Sequence, residues 1–128
     1  MPRLFVAAAA VAIAPLSACG GSASVSGWTQ SSAPSCSGGL CAEFERSDPA
    51  ASIVIVTGQG ALPAGDGYGD CGPVRGAAAA CRTLTDREQV VWRGDDDLYY
   101  EASGTAITRA ELVDFVSELD LKSAGLTP

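Results

Sequence analysis

Histidine is absent from the 128-residue sequence. Its absence removes the most common general base and the most common zinc ligand, and it excludes Ser-His and Cys-His nucleophile pairs. The Gly-x-Ser-x-Gly motif that exposes a serine nucleophile in many hydrolases is missing as well. These absences predict a protein that is not an enzyme and that holds neither a metal ion nor a cofactor.

Positive charge is scarce. The sequence has eight Lys plus Arg against fifteen Asp plus Glu, a net charge of −7, and Lys122 is its one lysine. An acidic surface repels the phosphates of nucleic acids and of anionic lipids, which argues against both as partners. The surplus of acid promotes solubility, and it can also attract a cationic partner. Arginine in place of lysine, with abundant alanine and glycine, is typical of GC-rich genomes and favours an actinobacterial source.

The sequence begins with the features of an export signal. Arg3 precedes an apolar run over residues 4–14, which is too short to cross the ~30 Å hydrocarbon core of a bilayer as a helix. The run meets Leu16-Ser17-Ala18-Cys19, which resembles the lipobox of bacterial lipoproteins. The resemblance covers residues 1–19. It implies cleavage directly before Cys19 and a diacylglyceryl group on its sulfur.

The resemblance to bacterial lipoproteins implies that the protein is anchored to the cell membrane by this lipid and faces the outside of the cytoplasm. One acyl chain binds a membrane only marginally, whereas two hold a protein firmly. The alternative is an ordinary secretory signal that is cleaved after Ala18 and leaves Cys19 unmodified. In either case residues 1–18 are a signal peptide, and losing Arg3 with them leaves seven cationic and fifteen anionic side chains, a net charge of −8.

The next segment is predicted to be a flexible tether, residues 19–35. Residues 20–34 are mostly Gly, Ser, Ala and Thr, which bury too little apolar surface to offset the entropy of ordering. Trp28 is the exception, and it could dock on the domain or on lipid headgroups. Residues 36–128 are then one small domain.

Four cysteines remain after Cys19, namely Cys36, Cys41, Cys71 and Cys81. An even number in an oxidising compartment indicates disulfides, and four cysteines allow three pairings. We favour the local pairs, Cys36 with Cys41 and Cys71 with Cys81, because each pair brackets turn-forming residues. A zinc site or a redox-active pair would typically show Cys-x-x-Cys spacing, which this sequence lacks.

Alternating and β-branched runs predict strands at 41–46, 53–57, 82–85, 89–93 and 98–102. Residues 58–76 contain seven glycines and two prolines, so we expect a long irregular loop that is either functional or disordered. The strands 89–93 and 98–102 flank a Gly-Asp-Asp-Asp run and predict a hairpin. A turn centred on Asp95 and Asp96 would place Trp92 opposite Tyr99, and Val91 opposite Tyr100.

A helix is predicted at the C-terminal end. Thr108 and Glu111 have the spacing of a capping box, with Ile107 and Leu112 at the positions of a hydrophobic staple. The apolar residues that follow at helical spacing are Leu112, Phe115, Val116 and Leu119. Strands followed by one amphipathic helix predict an α+β fold, in which a small antiparallel sheet is covered on one face by the helix and held by two disulfides.

Aromatic residues on and near the hairpin are the candidate binding surface, because such side chains anchor many protein and glycan contacts. They are Tyr68, Trp92, Tyr99 and Tyr100. The expected function is that of a non-enzymatic envelope module that binds another protein or a cell-wall glycan. One alternative is an acidic inhibitor of a cationic hydrolase such as a lysozyme. A second is a glycan hydrolase with paired carboxylates, for which Glu43 and Glu45 share a strand face.

Two further motifs favour structural interpretations. Residues 67–72 fit the nucleotide-binding pattern G-x-G-x-x-G, but they follow a loop instead of a strand, so we interpret their glycines as turn formers. Asp95, Asp96 and Asp97 offer oxygen ligands for calcium, yet they are consecutive and lack the alternation of calcium-binding loops. A solvated turn is the favoured interpretation.

Overall fold

The computed structural model describes residues 25–31, 40–63, 65, 67–94 and 97–127. They form a seven-stranded antiparallel sheet with one helix after its last strand, which confirms the predicted α+β class. The elements are β1 (Thr29–Gln30), β2 (Cys41–Ser47), β3 (Ala50–Gln59), β4 (Gly69–Val74), β5 (Ala77–Thr83), β6 (Glu88–Arg93), β7 (Leu98–Thr105) and α1 (Arg109–Glu118). The strand order across the sheet is β1-β2-β3-β7-β6-β5-β4. No helix in this part of the chain is long and apolar enough to span a bilayer.

Strands β2 and β3 contain the strands predicted at 41–46 and 53–57, and they pair with each other as an antiparallel hairpin. Ile53 and Ile55 are fully buried, whereas Val54 and Val56 between them remain partly exposed. Successive side chains of a strand point to opposite faces, so only one face of β3 lies in the core. That face packs on α1, since the Phe44 and Phe115 rings meet edge to face with centroids 5.0 Å apart.

The prediction of one long loop over residues 58–76 is wrong. Strand β3 extends to Gln59 and β4 begins at Gly69, so the connection is much shorter. Within the described residues, strand β4 lies at the edge of the sheet and pairs with β5 alone, with a register shift between Asp70 and Pro73. Proline and irregular pairing are tolerated at an edge because one side of the strand has no ladder partner. Because of its glycine- and proline-rich composition, β4 could not be predicted as a strand from the sequence.

A disulfide joins Cys71 of β4 to Cys81 of β5, with 5.7 Å between their Cα atoms. This confirms one of the two predicted bridges. Cys36 lies outside the described residues, so its pairing with Cys41 stays a prediction.

The β6–β7 hairpin is present, but the predicted register is wrong by one residue. Trp92 pairs with Tyr100, and Arg93 pairs with Tyr99. The Gly94 N–H donates to the Leu98 carbonyl, so the loop is one residue longer than a turn centred on Asp95 and Asp96, which lie outside the described residues. A slip of one residue exchanges the two faces of a strand. Tyr100 consequently faces the core, and Tyr99 faces away from it.

Helix α1 begins at the predicted capping box. The Glu111 N–H donates to Thr108 Oγ1 at 3.1 Å, and the Thr108 N–H donates to Glu111 Oε1 at 3.0 Å. The predicted apolar stripe is buried against the sheet, and the chain after the helix continues to fill the core. The buried residues of this C-terminal part are Leu112, Phe115, Val116, Leu119, Leu121, Ala124 and Leu126.

Residues 25–31 belong to the folded domain, which corrects the predicted extent of the tether. Strand β1 pairs with β2, and the Trp28 ring meets Phe115 edge to face at 5.0 Å. The guanidinium of Arg46 lies 5.0 Å from the centroid of the Trp28 ring. The composition of residues 25–31 is that of a tether, but Trp28, the residue that the sequence singles out as able to dock on the domain, provides the apolar contact that its small neighbours lack.

Candidate binding surface

The sheet presents two different faces. Helix α1 and the chain after it cover one of them, and no helix in the described part of the molecule covers the other. We call this second surface the open face. Its central residues alternate with the core residues of the same strands and are Glu43, Val54, Val56, Arg82, Gln89, Val91, Arg93, Tyr99, Glu101 and Ser103.

A row of hydrogen-bonded side chains crosses the open face. Arg82 Nε donates to Gln89 Oε1 at 2.6 Å, and Gln89 Nε2 donates to Ser103 Oγ at 2.9 Å. The three residues lie directly opposite one another on β5, β6 and β7. The Gln89 side chain is 7% exposed, and its amide has a partner at each end, as a buried polar group requires. The row therefore holds its polar groups in fixed positions.

Tyr68 is docked on the open face by its neighbours. The Arg82 guanidinium lies 4.5 Å from the centroid of the Tyr68 ring, and the Tyr68 hydroxyl donates to Glu101 Oε2 at 3.4 Å. Glu101 lies opposite Val91 of β6, and Arg82 lies opposite Gln89, two residues before Val91 on the same face of β6, so a ring that reaches both lies over this part of β6. This explains why Val91 is fully buried although it does not face the helix.

The same contacts affect the ionisation of Tyr68. Burial first, and the negative charge of Glu101 second, raise the pKa of the Tyr68 hydroxyl above its ordinary value. The hydroxyl accordingly stays protonated at neutral pH and acts as a donor to the carboxylate.

Tyr99 contributes aromatic surface that is partly exposed. It pairs with Gly58 of β3, and a Cβ atom at Gly58 would collide with the Tyr99 ring. The ring thus covers the backbone of the neighbouring strand at a residue without a side chain. Such packing of an aromatic ring on a strand glycine restricts the ring and compensates for the missing side chain.

Trp92 and Tyr100 do not belong to this surface, which corrects half of the predicted aromatic set. Their rings stack with centroids 5.3 Å apart at 22°, and they are 1% and 3% exposed. They face the core because of the register described above. Of the four predicted aromatic residues, Tyr68 and Tyr99 lie on the open face. The structure also places Arg82, Gln89 and Ser103 there, and their juxtaposition could be predicted from the sequence only with the correct strand register.

The carboxylates proposed for a hydrolase are spread over the sheet. Glu43 and Glu45 share the open face, as their spacing predicts, and Glu101 lies on the same face two strands away. Two strand spacings separate backbones by about 10 Å. Among the described residues no three His, Cys, Asp or Glu side chains are grouped to hold a metal ion.

The G-x-G-x-x-G residues act as the sequence predicts. Gly67 and Gly72 have φ angles of 85° and 88°, a conformation that glycine adopts without steric cost. They allow the chain to turn before and within β4, and no helix follows. A nucleotide-binding arrangement needs a strand before this motif and a helix after it, and neither is present here.

The open face is acidic. Among the described residues, four carboxylates lie on it, those of Glu43, Glu45, Asp70 and Glu101, against the guanidinium groups of Arg82 and Arg93. Comparison with models of known protein families, with curated proteins and with solved structures finds no match. The function of the open face must therefore be inferred from its own residues.

Proposed function

We propose that this chain is a membrane-anchored envelope lipoprotein that binds another envelope protein through the open face. The observation that carries this proposal is a broad sheet face that no helix of the described residues covers, on which Tyr99 lies partly exposed beside the hydrogen-bonded row of Arg82, Gln89 and Ser103. Aromatic side chains and pre-positioned polar groups are typical of protein interfaces. The proposal assigns no catalytic role to the chain.

The anchor is the lipid that we propose on Cys19. The lipobox supports it, and the Cys71–Cys81 disulfide is consistent with an oxidising compartment outside the cytoplasm. We retain Cys36 with Cys41 as a second disulfide in this proposal. Mass spectrometry of the mature N-terminus provides the test. A chain that begins at an unmodified Cys19 would leave the surface proposal standing but would remove the anchor.

The chemistry of the open face favours a cationic protein over a glycan. Small molecules and sugar units are usually bound in concave sites, whereas the open face is a sheet surface. Its carboxylates outnumber its guanidinium groups by two, and the whole chain carries a net charge of −7. Complementary charge speeds association and selects the partner.

The same charge favours a second, narrower candidate, an inhibitor of a cationic hydrolase such as a lysozyme. Inhibition assays of a cationic lysozyme with the full chain separate it from the general proposal. Binding without loss of hydrolysis excludes the inhibitor function only. In both cases the affinity is expected to fall with rising salt, because the charges are exposed to solvent.

Site-specific photo-crosslinking in cells tests the surface. A photoreactive phenylalanine analogue replaces Tyr99 on the open face, or Asp114 on the solvent side of α1 as the matched control. We expect a discrete cross-linked product from position 99 alone, and its loss when Glu43 and Glu45 are both changed to Gln. Equal products from both positions, or none from position 99, would rule out the open face as the interface.

A further inference from the structure

The chain enters the folded domain at one end of the sheet. Thr29 of β1 pairs with Glu45, two residues before the end of β2. The Arg46 guanidinium lies 5.0 Å from the centroid of the Trp28 ring, and the Trp28 N–H donates to the Val25 carbonyl oxygen at 2.9 Å. The β2–β3 turn, the β5–β6 turn and the start of α1 lie at this end too. We call it the entry end, and its residues are 25–28, 46–50, 83–88 and 106–111.

The charged side chains of the entry end form ion pairs. Among the described residues, all three salt bridges lie here: Arg46 with Glu111 at 3.2 Å, Arg87 with Asp86 at 3.6 Å, and Arg109 with Glu88 at 3.6 Å. Asp48 is the one further charged residue of the entry end. With three arginines and four carboxylates, this end of the domain is close to electrically neutral.

The two broad surfaces of the domain are more acidic than the entry end. Among the described residues, the open face has four carboxylates against two guanidinium groups. On the other side of the sheet, α1 has no basic residue beyond Arg109, whereas Asp114 and Glu118 are exposed on it. A bilayer that contains anionic lipids has a negative surface potential. It therefore repels both broad surfaces more strongly than it repels the entry end.

We propose that the entry end contacts the lipid headgroups of the bilayer, an inference that depends on the anchor proposed on Cys19. Five residues join Cys19 to Val25, too few to pass around the domain and bring the opposite end of the sheet to the membrane. Trp28 is partly exposed at the entry end, and tryptophan side chains prefer the headgroup level of a bilayer. In this orientation the strands run away from the bilayer. The open face then points along the membrane plane and stays accessible to its protein partner.

Tryptophan fluorescence tests this contact, because the chain has two tryptophans and they lie at different distances from the entry end. Trp92 pairs with Tyr100, five residues before Thr105 at the end of β7. The lipidated full chain is reconstituted into vesicles of phosphatidylcholine and phosphatidylglycerol, with or without a nitroxide-labelled phosphatidylcholine as quencher. Trp92→Phe isolates the emission of Trp28, and Trp28→Phe isolates that of Trp92. Quenching of Trp28 should be at least about twofold stronger, because Trp92 lies about 17 Å farther along the strands.

Flotation of the vesicles separates the two proposals. A chain that does not float with the vesicles contradicts the anchor and the headgroup contact together. A chain that floats but shows equal quenching of Trp28 and Trp92, or no quenching of Trp28, contradicts the headgroup contact alone.

Two exposed charge reversals provide a second test that leaves both tryptophans and the core in place. Arg87→Glu changes the β5–β6 turn at the entry end, and Lys122→Glu makes the same change of charge after α1, at the opposite end. Arg87→Glu should lower the total quenching about twofold, because an anionic lipid surface attracts a nearby cation and repels an anion. Lys122→Glu should leave the quenching unchanged. Equal effects of the two substitutions, or no effect of Arg87→Glu, would overturn the proposed orientation.

Discussion

Arg75 caps the helix from a different part of the chain: its Nη1 donates to the carbonyl oxygen of Leu119 at 2.6 Å and to those of Val116 and Ser117 at 3.3 Å each. The last carbonyls of a helix lack partners within the helix, and α1 has no basic residue in its last turn. Arg75 supplies both the donors and the charge. It does so from a tight turn in which its φ angle is 53°.

Arg75→Ala is therefore expected to lower the free energy of unfolding by about 1–3 kcal/mol, because several carbonyls lose a charged donor. Urea unfolding followed by circular dichroism measures the change. Arg87→Ala removes an exposed arginine with no helix contact and should change stability by less than about 0.5 kcal/mol. Similar losses in both variants would contradict the capping role.

Gly58→Ala should destabilise the fold by about 1–3 kcal/mol, because the new methyl group collides with the Tyr99 ring. Gly69→Ala is the matched control: it also lies in a strand, but a Cβ atom there meets open space. Thermal unfolding compares the two variants. The double variant Gly58→Ala/Tyr99→Ala should recover part of the loss, and no recovery would show that the ring is not its cause.

Stability at alkaline pH should depend on Tyr68. Burial, and then the charge of Glu101, raise its pKa above the ordinary value of 10.0. Because the pKa of Tyr68 is higher in the folded state than in the unfolded state, its protonated hydroxyl contributes fully to the free energy of unfolding below about pH 10. This contribution is lost as the pH rises through the folded-state pKa. Urea unfolding from about pH 8 to pH 11 should show a steeper decline for the parent chain than for Tyr68→Phe. Parallel curves would contradict this linkage.

Stability at acidic pH should depend on Glu111. The hydrogen bond from the Thr108 backbone, and then the one from Arg46, lower the pKa of its carboxyl group below 4.5. The ionised carboxylate therefore contributes fully to the free energy of unfolding above the ordinary pKa, and this contribution is lost as the pH falls through the lowered pKa of the folded state. Glu111→Gln should therefore be less stable than the parent at pH 7 and should approach it in acid. Asp114→Asn, an exposed control on the same helix, should show a smaller difference at pH 7.

The sequence was informative wherever the core imposes a regular pattern. Ile53 and Ile55 alternate on β3, and Leu112 and Phe115 follow the helical period, so these elements could be predicted. The capping box at Thr108 could be predicted too, because it depends on residues three positions apart. Local spacing likewise identified the pairing of Cys71 with Cys81.

The sequence-based predictions were wrong where contacts between residues distant in the chain determine the structure. Strand β4 buries Val74 alone among its six residues, so its composition gave no periodic signal. Strand β1 has two residues and is held in part by the Trp28 side chain next to it. In the β6–β7 loop, consecutive aspartates fit turns of two or three residues equally well. That ambiguity of one residue decided which tyrosine of the hairpin faces solvent.

The contact between Trp28 and Phe115 also limits how far the domain can stand from the lipid that we propose on Cys19. Because Val25 already packs against the core, only residues 20–24 separate it from Cys19. The covalent geometry of the backbone limits that distance to about 20 Å, whatever path the chain takes. With acyl chains on Cys19, the domain would remain within roughly its own diameter of the bilayer, and its accessible partners would be other proteins at the membrane surface, not polymers deeper in the wall.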